Sequence, residues 1–352
     1  MNYNDKFKNI KKMIGSTPLL EINLKYKGEN RKIYAKAEYY NLTGSIKDRV
    51  AFYILENAYK KGTIKENDII AEATSGNTGI AFSALGSYLG HKVIIYMPDW
   101  MSKERINLMK SYGAEIRLVS KEDGGFLGSI SMTEKLAENG GVFLPCQFSN
   151  EDNTMAHYYT TGEEISNQLH ALGLTADGVV AGVGTGGTVM GIAKRLRVDN
   201  PNCKAFPLEP LNSPTLSTGY KTGAHKIQGI SDEFIPPILN MDEMYKVVSV
   251  DDIDSIIMAR MLSQQFGIGV GISSGANILG CLKAQDIIGT DKTIVTVLAD
   301  DNKKYLSTDY SNNWEIKDNY MTKNIELVSV KAYSCLLYTS DAADDRISVD
   351  LG

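Results

Sequence analysis

The sequence predicts an α/β protein made of two units, each a mostly parallel sheet flanked by helices. Short β-rich runs alternate with helical patterns of about 10–15 residues, which argues for βαβ units. Several of these runs are apolar nearly throughout, as expected of strands covered by helices on both faces. The length, 352 residues, is long for one domain and comfortable for two.

In chain order the expected strands are "KIYAKAEY", "DIIAEAT", "HKVIIYMP", "AEIRLVS", "GVVAGVG", "KAFPLEP" and "KTIVTVLAD". Helical periodicity marks "VAFYILENAYKKG", "TGIAFSALGSYLG", "SKERINLMKSYG" and "TTGEEISNQLHALG". No repeat of fixed period and no low-complexity linker separates two units. From about Ser334, "SCLLYTSDAADDRISVDLG" continues neither periodicity and resembles translated vector sequence. Residues 334–352 are therefore set aside as a non-native tail. A chain ending near Val330 is expected to keep full activity and stability.

Composition narrows the function. Hydrophobic content of 43% and charged content of 22% support a real core. The net charge of −5, with no basic stripe, argues against a nucleic-acid partner. No apolar run is long enough to span a membrane, and the N-terminus lacks the apolar core of a signal peptide. Cys146, Cys203, Cys281 and Cys335 form no CxxC pair, which fits a reduced cytoplasmic compartment. His91, His157, His170 and His225 show no metal-ligand spacing, so no metal is expected.

Three segments share a strand–small-residue loop–helix pattern. "TSGNTG" (74–79) offers hydroxyls, an amide and a helix start, suited to a carboxylate or phosphate; ordinary capping by Thr74, Ser75 or Asn77 reads equally well. "GTGGT" (184–188) exposes many backbone N–H groups, as a phosphate cradle does; a flexible glycine turn is the bland alternative. Gly182, Gly184 and Gly187 also match the dinucleotide GxGxxG, with Glu209 following at a strand end, so a nicotinamide dehydrogenase competes. In "GVGISSGANILG" (269–280), Ser273 and Ser274 either cap a helix or bind a ligand. Against these loops stands Lys47, at the start of a helix, where the dipole opposes a cation. Two anion loops and a lysine whose ammonium is disfavoured suggest pyridoxal phosphate, which has a phosphate, an aldehyde that condenses with lysine, and a ring nitrogen needing a partner.

Ten stretches then appear in family order over about residues 8–312: "IGSTPLL", "NLTGSIKDR", "EATSGNTGIAFSALG", "MPDWMSKERINLMKSYGAEI", "QFSNEDN", "HYYTTGEEI", "GVGTGGTVMGI", "LEPLNSPTLSTG", "KIQGISDEF" and "GISSGAN". Together they resemble the cysteine synthase/cystathionine β-synthase family of fold-type II pyridoxal-phosphate enzymes, with a tryptophan synthase β-like architecture. The resemblance implies a larger phosphate-binding domain from 1–46 and 153–320, and a smaller mobile domain from 47–152. It implies that Lys47 carries the cofactor as a Schiff base, that Asn77 bonds its ring hydroxyl, and that Gly184, Thr185, Gly186, Gly187 and Thr188 cradle its phosphate. By the same resemblance Ser273 meets the pyridine nitrogen. Thr74, Ser75, Gly76 and Thr78, helped by Gln147, hold the substrate carboxylate. Gly229 belongs to a mobile loop over the site.

The implied reaction makes cysteine from O-acetylserine and sulfide through an α-aminoacrylate, with Lys47 as general base. A neutral serine beside the ring nitrogen suits loss of a β-leaving group over transamination. The alternative within the family is condensation of serine or O-acetylserine with homocysteine, whose longer members carry a regulatory module not expected here. The resemblance also implies a homodimer and docking of serine acetyltransferase. A catalytically dead binding protein is a further class, opposed by the presence of Lys47. The loop reads "GISDEF", where many members have glycine at the place of Ser231 and no acid at that of Asp232. That departure bears on docking and on the choice of nucleophile.

Overall fold

The structure is a computed structural model and describes residues 3–74, 76–231 and 234–335. Ser75, Asp232 and most of the 334–352 tail lie outside the described residues. Among the described residues eleven strands form two sheets. They are β1 (Leu19–Tyr26), β2 (Glu29–Ala37), β3 (Ile69–Ala73), β4 (Val93–Pro98), β5 (Glu115–Val119), β6 (Val142–Phe143), β7 (Gly178–Gly182), β8 (Lys204–Pro210), β9 (Val248–Val250), β10 (Ile294–Leu298) and β11 (Ile325–Tyr333). The seven-stranded sheet runs β11-β1-β2-β10-β7-β8-β9, and the four-stranded one β5-β4-β3-β6. From β2 to β9 the larger sheet is parallel, and the smaller is parallel throughout. All seven strands expected from the sequence form.

Parallel strands bury both faces because their crossover helices cover both. β10, "IVTVL", is buried at all five positions. Its alternate residues serve opposite cores: Ile294 and Leu298 pack with Val180, Phe206 and Leu279, while Val295 and Val297 pack with Val179, Val189 and Ile192. Burial on both sides erases the polar–apolar alternation, which is why these strands read as continuous apolar runs.

The strands that the sequence reading passed over are edge or antiparallel elements. β1 and β2 form a hairpin in which Tyr26 pairs Glu29 across Lys27 and Gly28. Both turn residues have positive φ, +53° and +81°, the requirement of a type I′ turn. Lys-Gly meets it less readily than Asn-Gly, so the signal is weak. β11 then pairs antiparallel with β1 up to Leu19–Tyr333, past the limits of 320 and Val330 read from the sequence. Tyr333 also donates its hydroxyl to Glu21 Oε2 at 3.0 Å, and its carbonyl accepts from Gln168 Nε2 at 3.1 Å. This corrects the truncation expectation. A chain ending at Val330 loses three ladder residues and both bonds, so it should melt several degrees below a chain ending at Ser334; equal melting by calorimetry would refute the pairing.

One buried charge cluster ties the start of the chain to its middle. Arg49 reaches Glu38 through Nε at 2.6 Å and Nη2 at 2.8 Å, and Glu164 through Nη1 at 2.7 Å and Nη2 at 2.8 Å. Lys36 Nζ lies 2.7 Å from Glu164 Oε2. The Arg49 side chain is 1% exposed and that of Glu38 is fully buried. Arg49 sits two residues after Lys47, so the cluster also fixes the helix Lys47–Lys61.

Candidate active site

Strand ends and helix starts converge on one cavity of about 840 Å³, counting its open mouth. It lies at the carboxyl ends of β3, β7 and β10, where open α/β sheets bind ligands. Three helices begin there: Asn77–Leu89, Gly187–Asp199 and Ile272–Ile288. Their N-cap residues are Gly76, Gly186 and Gly271, none of which has a capping side chain. A helix start carries N–H groups without intrahelical partners and a positive partial charge. Three of them around one space make a site for anionic groups.

Glycine is needed here for closeness. Gly186 has φ +88°, and a Cβ there would meet Leu239 Cβ at 2.8 Å. A Cβ on Gly184 would fall 2.4 Å from the carbonyl oxygen of Gly229. The "GTGGT" loop is thus pressed from behind by the segment Gly229–Ile230, and Ser231 N donates to Val183 O at 2.7 Å.

Of the residues singled out by sequence, Lys47, Thr74, Gly76, Asn77, Thr78, Gln147, Gly184, Thr185, Gly186, Thr188, Gly229 and Ser273 all line this cavity. Gly187 stands behind the lining, where a Cβ would meet Asn153 Oδ1 at 2.2 Å. Ser75 is outside the described residues. Lys47 is the first residue of its helix and half-buried; its N–H donates to Ser45 Oγ at 3.3 Å. The two serines of the third loop separate cleanly: Ser273 faces the cavity, while Ser274 Oγ accepts from Ala299 N at 2.9 Å. Thr78 Oγ1 donates to Gln147 Oε1 at 2.7 Å, and Gln147 Nε2 donates to Ala73 O at 3.1 Å. Those bonds join the "TSGNTG" loop to its partner glutamine.

Several supporting groups were invisible in the sequence. Asn153 donates to Gln147 O at 2.8 Å and to Thr185 Oγ1 at 2.9 Å, bridging the two loops. His157 is fully buried, and burial, with the charges of Lys47 and Arg49, pushes its pKa well below 6.5. As a neutral imidazole it lies between Thr161 Oγ1, at 2.9 Å, and Thr188 Oγ1, at 3.2 Å. Burial raises Glu72, just before the loop, to about 8, against the pull of backbone N–H groups at Ala73, Gln147 and Cys146. Phe126, Phe148 and Gln228 also line the cavity. Of these, Glu72, Phe148, Asn153, His157 and Gln228 fall inside the quoted motifs, the one signal that could have flagged them, and Phe126 falls in none.

These residues fit pyridoxal phosphate. A glycine cradle with a helix start suits its phosphate, a hydroxyl at Ser273 suits an unprotonated ring nitrogen, and Lys47 brings an amine to the cavity lining. Asn77 Oδ1 is buried with no hydrogen-bond partner, so the amide has bonding capacity left for a ligand. The dinucleotide alternative fails at its acid. Glu209 is fully buried and spent within the fold, accepting from Leu216 N at 2.8 Å, Ser217 N at 3.2 Å and Ser249 Oγ at 3.1 Å. Among the described residues no cluster of metal-binding side chains occurs, and no helix is long and apolar enough to cross a membrane.

Comparison with known proteins adds to the geometry. The model of the family described as "Pyridoxal-phosphate dependent enzyme" matches residues 10–300. A cysteine synthase of Staphylococcus aureus is 40% identical over 300 residues, covering 85% of this chain and 96% of the relative. The solved hydrogen sulfide-producing enzyme (Fn1055) of Fusobacterium nucleatum is 56% identical with a TM-score of 0.92, covering 94% of this chain and 99% of that one. A D232N variant of the same enzyme has been solved with an α-aminoacrylate intermediate; it is 57% identical, with a TM-score of 0.90 over 93% and 99% of the two chains. The cysteine synthase of Entamoeba histolytica is 38% identical with a TM-score of 0.80, over 89% and 93%.

Proposed function

Because the chain belongs to the pyridoxal-phosphate-dependent enzymes, and within them to the cysteine synthase type, we propose that it makes cysteine from O-acetylserine and sulfide by replacement at the β-carbon. The observation that carries this is the convergence of three glycine-capped helix starts on Lys47.

When bound, pyridoxal phosphate supplies an aldehyde for amines and a ring that withdraws electrons from the adjacent carbon. Gly184–Thr188 would hold its phosphate by backbone N–H groups, with Thr188 oriented by neutral His157. Ser273 would meet the ring nitrogen with a neutral hydroxyl, and Asn77 the ring oxygen. Thr74, Ser75, Gly76 and Thr78, with Gln147, would grip the substrate carboxylate. Lys47 Nζ, freed from the cofactor by the incoming amino group, would take the α-proton and later return it. Phe126 and Phe148, packed edge to face at 5.6 Å, give the cavity an apolar wall that limits water. Closure of the 47–152 unit on the carboxylate would complete that exclusion. Homodimer assembly, docking of serine acetyltransferase and a cytoplasmic setting extend this reading by family resemblance.

A second reading is favoured by a specific observation. The hydrogen sulfide-producing enzyme Fn1055 is 56% identical, above the 40% of the cysteine synthase from Staphylococcus aureus, while a second hydrogen sulfide-producing enzyme of the same Fusobacterium, Fn1220, is also 40% identical. This chain also has an aspartate at position 232, two residues after Ile230 of the cavity lining. A carboxylate there could serve as base for water, so that cysteine and water give serine and sulfide.

The two readings separate in one assay. The purified holoenzyme is given O-acetylserine with sulfide, serine with homocysteine, or cysteine alone. Cysteine formed from the first pair supports synthesis. Sulfide released from cysteine alone, abolished by Asp232→Asn, supports the second reading. Turnover of serine with homocysteine only would overturn both.

A further inference from the structure

An amide has two ends of opposite polarity, and Asn77 must present the correct one to the cavity. Its own loop does not decide which. Asp300, just past β10, does. Asn77 Nδ2 donates to Asp300 Oδ2 at 2.8 Å, and Tyr305 donates its hydroxyl to the same oxygen at 2.6 Å. Oδ2 accepts both of these bonds, so it faces the nitrogen of the amide and not the oxygen. The nitrogen keeps a second hydrogen, and Oδ1 stays buried without a partner.

Asp300 is built in firmly. It is 1% exposed, and Oδ1 presses on Gly271 so closely that a Cβ there would fall 2.0 Å away. Its carbonyl accepts from Gly271 N at 3.0 Å, at the start of the Ser273 helix. Its backbone bridges Ser45, and Ile46 N donates to Ala299 O at 2.9 Å, immediately before Lys47. One residue therefore touches the segments that carry Lys47, Asn77 and Ser273. Tyr305 is a fixed donor: burial and the neighbouring Asp300 push its pKa well above 10, and the Arg105 guanidinium lies 5.2 Å over its ring.

We propose that Asp300, braced by Tyr305, is a positioning residue that locks the Asn77 amide with its nitrogen toward the ring oxygen of the cofactor. The proposal rests on the cofactor reading given above. In Asp300→Asn, the new amide can face Asn77 with either end, so the lock is lost. A role confined to joining the two sheets would cost stability and leave the bound chromophore unaltered.

The test uses holoenzyme of the unaltered chain, Asp300→Asn and Tyr305→Phe. Visible absorption and circular dichroism of the bound cofactor are recorded, with cofactor retention on dialysis and thermal unfolding. Asp300→Asn should move the visible band, change the dichroism and weaken retention about tenfold, the size of one lost hydrogen bond to a charged group. Tyr305→Phe, which removes only the hydroxyl and survives even if Asp300→Asn does not fold, should move the same signals in the same direction by less. Spectra and retention like those of the unaltered chain in both variants would overturn the proposal. So would a fall in melting temperature with an unchanged chromophore. If the unaltered chain shows no visible band with pyridoxal phosphate, the cofactor reading itself falls, and the proposal with it.

Discussion

Lys47→Ala should give a folded chain with no visible cofactor band and turnover lower by at least about a thousandfold. The magnitude follows from the loss of a positioned general base, worth roughly 10²–10⁴-fold, together with the covalent anchor. Folding should survive, because Lys47 is half-buried on the cavity wall while the packing of its helix rests on Val50, Ala51, Ile54 and Leu55. The measurements are absorption after incubation with pyridoxal phosphate, turnover of each substrate set, and thermal unfolding. A small added amine should restore part of the activity by standing in for the missing nitrogen. Turnover within tenfold of the unaltered chain would remove Lys47 from the chemistry.

Arg49→Ala should destabilise the fold by about 3–5 kcal/mol, since it leaves two buried carboxylates without their shared cation. Glu38 is fully buried, and its pKa is lowered: desolvation opposes this, but the Arg49 charge and hydrogen bonds outweigh it. Glu164 is lowered from 4.5 to about 2, again against desolvation, by Arg49 and then Lys36. The sign follows directly. A carboxyl with a depressed folded pKa stabilises the fold above its unfolded value, and that contribution fades as pH falls from about 4.5 toward about 2. The unaltered chain should therefore lose stability steeply across that window, and Arg49→Ala should show a much flatter profile from a lower plateau. Urea unfolding at a series of pH values reads both. Parallel profiles would mean that Arg49 does not hold Glu164 in its charged form.

Legibility in the sequence followed physical cause. The buried parallel strands were readable because burial on both faces leaves continuous apolar runs such as "IVTVL". The cavity loops were readable because close backbone approach excludes side chains, leaving glycines that alignment with a family makes specific. β11 was not, because an edge strand with one wet face alternates weakly and lies next to an unrelated-looking tail. Asp300, Asn153 and His157 were not, because a buried polar residue differs from a surface one only in what surrounds it. Glu209 misled for the same reason: its spacing suited a ribose, while its oxygens cap the short helix Thr215–Thr218. Ser273 and Ser274 are chemically identical neighbours, and only their places on the helix assign one to the cavity and the other to Ala299.

The three glycine helix caps carry a consequence for how this enzyme can change. Where a ligand is gripped by main chain, exchanging one side chain for another scarcely alters the grip. Natural drift or laboratory selection for a new acceptor has little purchase at 76 or 186, the two caps that line the cavity. It has to act through side chains of the lining, such as Phe126, Phe148 and Gln228, and those three positions are the place to begin a library.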